Sequence, residues 1–228
     1  MAVKTNNGFP RLSGLVSLKT IKVRKQTTRV RTGDAGTILG WVARQIDADV
    51  EPCQTLYGWR SPATNTAAGG VGDSNHLSGT AIDYNGGKHP YERTWNKTHP
   101  AGSWRPGWSA DAVKDIHAIL AAASGVVVWG NDVSSRYAVG WRDAMHFEVR
   151  ASAAALKRAT DKLRGGTVHV TADVLNGRAK PSTAKPVKVL YRRKRGFKIT
   201  YTQVLYREGR LWLKTRYGTY YAAEHTSW

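Results

Sequence analysis

The sequence has few of the features typical of disulfide-bonded or membrane-spanning proteins. Cys53 is the only cysteine among 228 residues, which excludes an internal disulfide and any zinc site made of several thiolates. No stretch approaches the roughly 18 consecutive apolar residues of a membrane helix, and residues 1–10 lack the apolar core of a secretion signal. We therefore expect a protein that is made and folded in the cytoplasm, without membrane insertion, although export by another route stays open.

Acidic residues are also scarce, since 16 Asp and Glu stand against 35 Lys and Arg, a formal net charge of +19. The excess lies at the two ends of the chain, with +7 in residues 1–35, +2 in residues 36–164 and +10 in residues 165–228. Cationic surfaces attract polyanions over long distances. Nucleic acid and the anionic envelope of a bacterium are both polyanions, so charge alone does not choose between them.

One segment near the middle of the chain joins a histidine to an aspartate through a glycine turn. Residues 74–83 read SNHLSGTAID, and residues 143–148, DAMHFE, add a second histidine. Gly79 lets the chain turn where a side chain would clash, and residues 80–84 then alternate as a strand. Two imidazoles and one carboxylate, from His76, Asp83 and His146, can hold one zinc ion and leave a fourth position open, the usual catalytic arrangement.

Strand periodicity separates the roles of the two acidic residues near His146. In residues 144–149, His146 and Glu148 share one face of a predicted strand. Glu148 stays open as a ligand, but we favour an indirect role in which it orients an imidazole. If the strand extended back to Asp143, the side chain of Asp143 would lie on the face opposite His146. We therefore place Asp143 in the turn before the strand, beside the metal, where a general base for water belongs.

These segments resemble a metallopeptidase family that contains D-alanyl-D-alanine carboxypeptidases, vancomycin-resistance dipeptidases and phage L-alanyl-D-glutamate endopeptidases. The family shares S-x-H-x-x-G-x-A-x-D followed by [DE]-x-x-H, and residues 58–65, GWRSPATN, are similar to its G-[YW]-R-S-x-x-x-N stretch. The resemblance implies an α+β zinc peptidase domain of the D,D-peptidase/hedgehog type, with one Zn²⁺ per chain. It also implies that Arg60 binds a substrate carboxylate or polarises the scissile carbonyl.

The other histidines are weaker candidates for this site. His117 lies on the flank of a predicted helix near 110–123, and His169 and His225 fall outside the catalytic region. His89 and His99 belong to residues 86–108, a long loop with Gly, Pro and three tryptophans. Such a loop can form a substrate rim or close over the core, and both interpretations stay open.

We predict a catalytic domain with a basic N-terminal segment over residues 1–164. Asp34 is expected to cap a helix that carries Ile38, Leu39, Val42 and Ile46 on one stripe. Residues 151–164 are expected to form a closing helix with Ser152 as a possible cap, and Gly165-Gly166 ends it. Further strands are predicted at residues 18–23, 54–59, 80–84, 126–129 and 144–149.

Residues 165–228 are predicted to form a second, all-β domain of about five short strands, at residues 168–170, 187–191, 198–201, 211–214 and 220–221. Residues 170–178, VTADVLNGR, with Pro181-Ser182, resemble the opening of bacterial SH3-like wall-binding domains. Residues 211–214, LWLK, resemble the W-x-K strand of those domains. Ala179-Lys180 departs from the usual S-G before the proline. The resemblance implies a small SH3-like barrel.

Together the two resemblances imply a peptidoglycan endopeptidase most similar to a phage endolysin, acting at the bacterial cell wall on the L-Ala–D-Glu bond. We expect a monomer whose partners are peptidoglycan and its associated anionic wall polymers. A D,D-carboxypeptidase or a cross-link D,D-endopeptidase is the nearest enzymatic alternative. A nucleic-acid-binding protein would leave the metal motifs unexplained, and a metal-bearing wall binder without catalysis would have no use for Asp143.

Overall fold

A computed structural model describes residues 3–134 and 136–228 in two compact units, of which the first ends at Leu156 and the second covers Lys157–Trp228. Helices and several antiparallel sheets confirm the predicted α+β class. The helices are α1 (Asp34–Asp49), α2 (Pro62–Ala67), α3 (Glu92–Trp95), α4 (Ala110–Ala122) and α5 (Ala153–Arg164). None of the helices in the described residues is both long and apolar enough to cross a bilayer.

The first unit is organised around a four-stranded antiparallel sheet. Its strands are β3 (Leu56–Tyr57), β4 (Ala81–Tyr84), β5 (Val127–Trp129) and β6 (His146–Val149), in the order β3-β4-β6-β5. Asp83 pairs directly with His146 across β4 and β6. Because opposite residues of paired strands lie on one face about 5 Å apart, this register brings two predicted ligands together.

The core of this unit lies between the sheet and α1. Ile38, Leu39, Val42 and Ile46 are fully buried, which confirms the predicted apolar stripe. Helix α1 packs against β4, β6 and α4. A hairpin of β1 (Leu18–Val23) and β2 (Gln26–Arg31) also packs against α1.

The prediction that Asp34 caps α1 is wrong. Gly33 is the N-cap residue, with a φ of 77°, and no side chain caps the helix there. The chain leaves β2 through this left-handed glycine, so the helix already begins at Asp34. The acidic side chain lies in the first turn, where it still interacts favourably with the helix dipole. At α5, Ser152 Oγ accepts a hydrogen bond from the Ala155 N–H at 3.2 Å, which confirms that predicted cap.

The second unit is all-β after the end of α5. Two strands pair separately, β7 (Gly166–His169) with β10 (Lys198–Tyr201), and five others form an antiparallel sheet in the order β11-β12-β13-β8-β9. Trp212 and Leu213 are fully buried in it. The prediction of about five strands was too low because two segments, β8 and β11, form strands that were not predicted. The sheet strands are β8 (Val174–Arg178), β9 (Val189–Lys194), β11 (Gln203–Arg207), β12 (Arg210–Lys214) and β13 (Tyr220–Ala222).

Candidate metal centre

Three buried side chains converge where the 3-10 turn Asn75–Ser78 meets β4 and β6. Asp83 Oδ1 lies 3.1 Å from His76 Nε2 and 2.9 Å from His146 Nδ1, and the two ring nitrogens are 3.2 Å apart. Within residues 3–134 and 136–228, no other three His, Cys, Asp or Glu side chains were found to offer ligand atoms in such a group. The structure thus brings the three predicted ligands together.

Two glycines allow the backbone to approach closely at this point. Gly79 ends the 3-10 turn with a φ of 67°, and a Cβ there would lie 2.7 Å from the Arg31 backbone nitrogen. Gly58 would place a Cβ 2.2 Å from the Arg29 carbonyl oxygen. A side chain at Gly79 would push the turn that carries His76 away from β2, and one at Gly58 would push away the carbonyl that holds His76 Nδ1.

Each imidazole is held through the ring nitrogen that faces away from the cluster. His76 Nδ1 lies 2.6 Å from the Gly58 carbonyl oxygen, which can only accept, so Nδ1 carries the proton and Nε2 is free as a ligand. His146 Nε2 lies 3.1 Å from Glu148 Oε2, which likewise leaves Nδ1 facing Asp83. These outer partners fix the tautomers that a metal needs.

The donor set fits a zinc ion. Tetrahedral zinc with bonds of 2.0–2.1 Å separates its ligand atoms by about 3.3 Å, close to the distances of 2.9 to 3.2 Å found here. When no cation is bound, the lone pairs of Asp83 Oδ1 and of the two ring nitrogens point at one another. A proton between them relieves this repulsion. Burial lowers the pKa of His146, but hydrogen bonds to Asp83 and Glu148 outweigh it and raise that pKa to about 10. A proton on His146 is therefore favoured when no ion is bound.

Arg60 contacts one of the three predicted ligands, Asp83. Its guanidinium hydrogen-bonds Asp83 Oδ2, the carboxylate oxygen that does not face the histidines. Its backbone N–H donates to the His76 carbonyl at 3.2 Å. Arg60 also lines the same cleft as the cluster. The predicted role toward substrate remains a prediction, and the structure adds a contact that orients a ligand.

Asp143 sits in the turn that leads into β6. Its carbonyl accepts the His146 N–H at 3.1 Å, and its own N–H donates to the Gly130 carbonyl at 2.8 Å. The side chain is outside the three-ligand group, and Oδ1 is buried without a hydrogen-bond partner among the described residues. Burial and then the charge of Asp83 raise the pKa of Asp143 to about 7. A cation held by the ligands would oppose the effect of Asp83.

Glu148 is fully buried and contacts His146 from behind, in the outer position that we favoured over ligation. It accepts hydrogen bonds from Asn75 Nδ2 and, at 3.0 Å, from the Tyr137 hydroxyl. Asn75 Oδ1 in turn accepts the Asn7 N–H at 3.1 Å. Sequence reasoning missed the roles of Asn7, Asn75 and Tyr137. Only Asn75 had a local signal, its place inside the histidine motif.

A cavity of about 600 Å³ opens beside the cluster and Asp143. The loop of residues 86–108 contributes side chains both to the wall of this cavity and to the core, and its role as a substrate rim stays a prediction. Trp95 and His99 line the cavity, whereas Trp104 and Trp108 are buried in the core.

His89 and His117 are not part of the three-residue cluster. His89 is fully buried, stacked on Trp108 at 3.5 Å between ring centroids, and bonded to the Pro106 carbonyl. His117 pairs with Asp132 at the surface, at 2.9 Å. Both therefore have structural partners of their own.

Comparison with protein families supports the chemistry of this site. Residues 68–149 match the family described as D-alanyl-D-alanine carboxypeptidase, a family of zinc peptidases. The matched range contains the three ligands and Asp143 and ends with the last residue of β6. The predictions of a zinc metallopeptidase and of zinc as its cofactor are thereby confirmed. No curated protein and no solved structure matched the chain.

Proposed function

We propose that the protein is a peptidoglycan endopeptidase of the endolysin type that hydrolyses the L-Ala–D-Glu bond of the stem peptide. One observation carries the catalytic part of the proposal. Among the described residues, Asp143 Oδ1 is buried and has no hydrogen-bond partner, and Asp143 lines the same cleft as the three converging metal ligands. Leaving a buried acceptor unsatisfied costs free energy, which is expected where a proton must be accepted during turnover.

His76, Asp83 and His146 would hold the zinc ion, and Glu148 and the Gly58 carbonyl keep both imidazoles in their ligating tautomers. When bound, zinc would lower the pKa of a neighbouring water and polarise the scissile carbonyl. Asp143 accepts a proton from the attacking water at its free oxygen and then gives that proton to the departing amine.

Arg60 has two tasks in this proposal. One part of its guanidinium holds Asp83, and, because Arg60 lines the cleft, the remaining N–H groups are assigned as donors for the oxygen that becomes negative during attack. The fixed ion pair with Asp83 supports this assignment because it keeps the guanidinium in place before substrate arrives.

The second unit is proposed to be an SH3-like wall-binding domain. Its seven short strands, the buried Trp212 of the LWLK segment and a net charge of +10 in residues 165–228 support the assignment. Peptidoglycan and its associated anionic polymers are the proposed ligands. Attachment to the wall would raise the local concentration of scissile peptide around the active site.

The experiment that tests the proposal is mass spectrometry of purified cell walls after digestion. Cleavage at the proposed bond creates new N-terminal D-Glu and L-Ala with a free carboxyl group. Asp143→Asn digests are the matched control, since the same protein without its base should release neither end. Walls whose peptides stay intact, or are cut at another bond, would contradict the proposal.

A second candidate is a D,D-carboxypeptidase, which the description of the matched family favours. This enzyme would release free D-Ala and leave the L-Ala–D-Glu bond intact. A cross-link D,D-endopeptidase would convert peptide dimers to monomers without releasing free D-Ala. The same digest therefore separates all three activities.

A further inference from the structure

A tryptophan on the rim of the cleft is exposed although its backbone is firmly held. Trp141 is 44% exposed and lines the cavity that contains His76, Asp83, His146 and Asp143. An exposed indole forgoes the free energy that burying so large an apolar surface would bring. Because ligand pockets are commonly lined by aromatic side chains, a partly exposed tryptophan that lines this cavity is a candidate for ligand contact.

The chain neighbours of Trp141, Gly140 and Arg142, both hydrogen-bond one buried carboxylate, that of Glu92. Glu92 Oε2 accepts the N–H groups of Gly140 at 2.9 Å and of Arg142 at 3.2 Å. The Arg142 guanidinium donates to both Glu92 oxygens, at 3.0 and 3.1 Å, and the Glu92 N–H donates to the Arg142 carbonyl at 2.8 Å. Glu92 is itself only 6% exposed. The exposed indole is thus presented on a rigid support.

One face of the indole already has a partner. The Arg93 guanidinium carbon lies 4.2 Å from the Trp141 ring centroid, in the range of a cation–π contact. Trp141 nevertheless remains 44% exposed and lines the cavity, so part of its surface is available to a ligand. A second aromatic pair lines the same cavity, with Trp95 stacked on His99 at 3.6 Å.

We propose that Trp141 binds the sugar ring that carries the stem peptide, so that the cleft recognises a muramyl peptide and not the peptide alone. This inference rests on the proposed function. A pyranose presents C–H groups on its face and hydroxyl groups at its edge, so its face packs on a flat aromatic ring while its edge stays hydrated.

The position of the scissile bond agrees with this ligand. The stem peptide joins the glycan through its L-Ala residue, so the L-Ala–D-Glu bond is one residue away from the sugar. A terminal D-Ala lies several residues further along. A cavity of about 600 Å³ falls within the usual range for ligand sites and exceeds the volume of the two residues that flank a cut bond.

The test compares two soluble substrates that share one stem peptide, with and without the N-acetylmuramyl group. The full-length zinc-loaded chain is used throughout. Trp141→Ala should lower kcat/KM on the sugar-bearing substrate about tenfold, as expected for loss of one stacked ring, and leave the free peptide unchanged. Trp141→Phe should keep most of the activity. Val139→Ala, at a 74% exposed side chain two residues away, is the matched control.

An equal loss on both substrates would overturn the proposal, because Trp141 would then contact the peptide or support the fold. No loss on either would overturn it as well. If the wild-type chain cuts neither substrate, the proposed function fails, and binding still tests the sugar site. N-acetylmuramyl-L-alanine should bind wild type about tenfold more tightly than Trp141→Ala, measured by ligand-observed NMR, and equal binding would overturn the inference.

Discussion

Glu148 holds His146 by the ring nitrogen that points away from Asp83. Glu148 Oε2 lies 3.1 Å from His146 Nε2, while His146 Nδ1 lies 2.9 Å from Asp83 Oδ1. The imidazole is therefore held by one carboxylate at each ring nitrogen. Burial opposes ionisation of Glu148, but the hydrogen bond from His146 outweighs it and lowers the pKa of Glu148 to about 2. Glu148 thus stays charged at any working pH, which makes the ring a stronger metal ligand.

Glu148→Gln should weaken zinc binding about 10- to 100-fold, the usual effect of losing an outer partner of a ligating histidine. The amide keeps the size of the side chain but removes the charge that favours the required tautomer. Competition with a chromophoric chelator measures the affinity. Tyr137→Phe, which removes one hydrogen bond to the same carboxylate, should have a smaller effect. Unchanged affinity in Glu148→Gln would remove its assigned role.

His76→Ala should lose stoichiometric zinc and all lytic activity while it keeps most of its fold, because two ligands do not hold the ion tightly. Metal analysis after dialysis checks the zinc content. His117→Ala is the matched control, since His117 is half exposed and lies outside the cleft. In wild type, a chelator should abolish lysis and added zinc should restore it. Full activity of metal-free protein would disprove the metal centre.

Asp143→Asn should retain zinc but lose about 10²- to 10⁴-fold in kcat, the usual contribution of a general acid–base. Zinc analysis and turnover of a soluble stem peptide measure the two effects separately. Loss of zinc would instead identify Asp143 as a ligand. In wild type, kcat/KM should fall as pH drops and the base becomes protonated, and this acid limb should be absent from the residual activity of the variant.

The same substitution should change the stability of the metal-free protein in a pH-dependent way. The folded-state pKa of Asp143, about 7, lies above its ordinary value of 3.8, so the folded state binds the proton more tightly than the unfolded state. The native residue therefore costs stability as pH rises from about 4 to about 7. Asp143→Asn should raise Tm at pH 8 relative to wild type by more than it does at pH 3.

Asn7→Ala should destabilise the first unit by about 1–3 kcal/mol, because the substitution removes both hydrogen bonds that the Asn7 amide donates. Asn7 Nδ2 donates to the Val149 carbonyl at 2.8 Å and to Thr80 Oγ1 at 2.7 Å, next to β6 and β4. Urea unfolding measures the change. Asn6→Ala is the matched control, since its side chain makes one exposed hydrogen bond, to Asp73 at 3.2 Å. Equal effects of the two would contradict the assignment.

A chain cut after Arg164 should remain a folded zinc peptidase with weak activity on whole walls. Its turnover of a small soluble stem peptide should change little, because the removed part raises local concentration and contributes no chemistry. Wall binding by the removed part should weaken as salt rises, since exposed charges are screened over about 8 Å at physiological ionic strength. Suppose instead that the truncated chain is folded and zinc-loaded and yet fails to cut the soluble peptide. That result would contradict the proposal that the removed part only binds the wall.

Local sequence was sufficient to predict that His76, Asp83 and His146 come together, because turn and strand periodicities act over a few residues. Gly79 marks the turn, and strand parity places His146 and Glu148 on one face. The same local logic failed at Asp34, where the preceding Gly33 adopts a left-handed conformation and caps the helix. It also missed β8, which pairs with the distant strand β13, and β11, which pairs with the next strand along the chain, β12.

Sequence alone thus determined which residue types make up the candidate metal centre, whereas the fold decided how they are held. The pairing of Asp83 with His146 comes from the register of β4 and β6, and the contact of Arg60 with Asp83 joins residues from separate elements. Asn7 comes from the N-terminal segment and contacts Asn75, whereas Tyr137 comes from the loop before β6 and contacts Glu148. No local periodicity encodes such contacts, since each requires that the sheet, the N-terminal segment and the loops pack together in three dimensions.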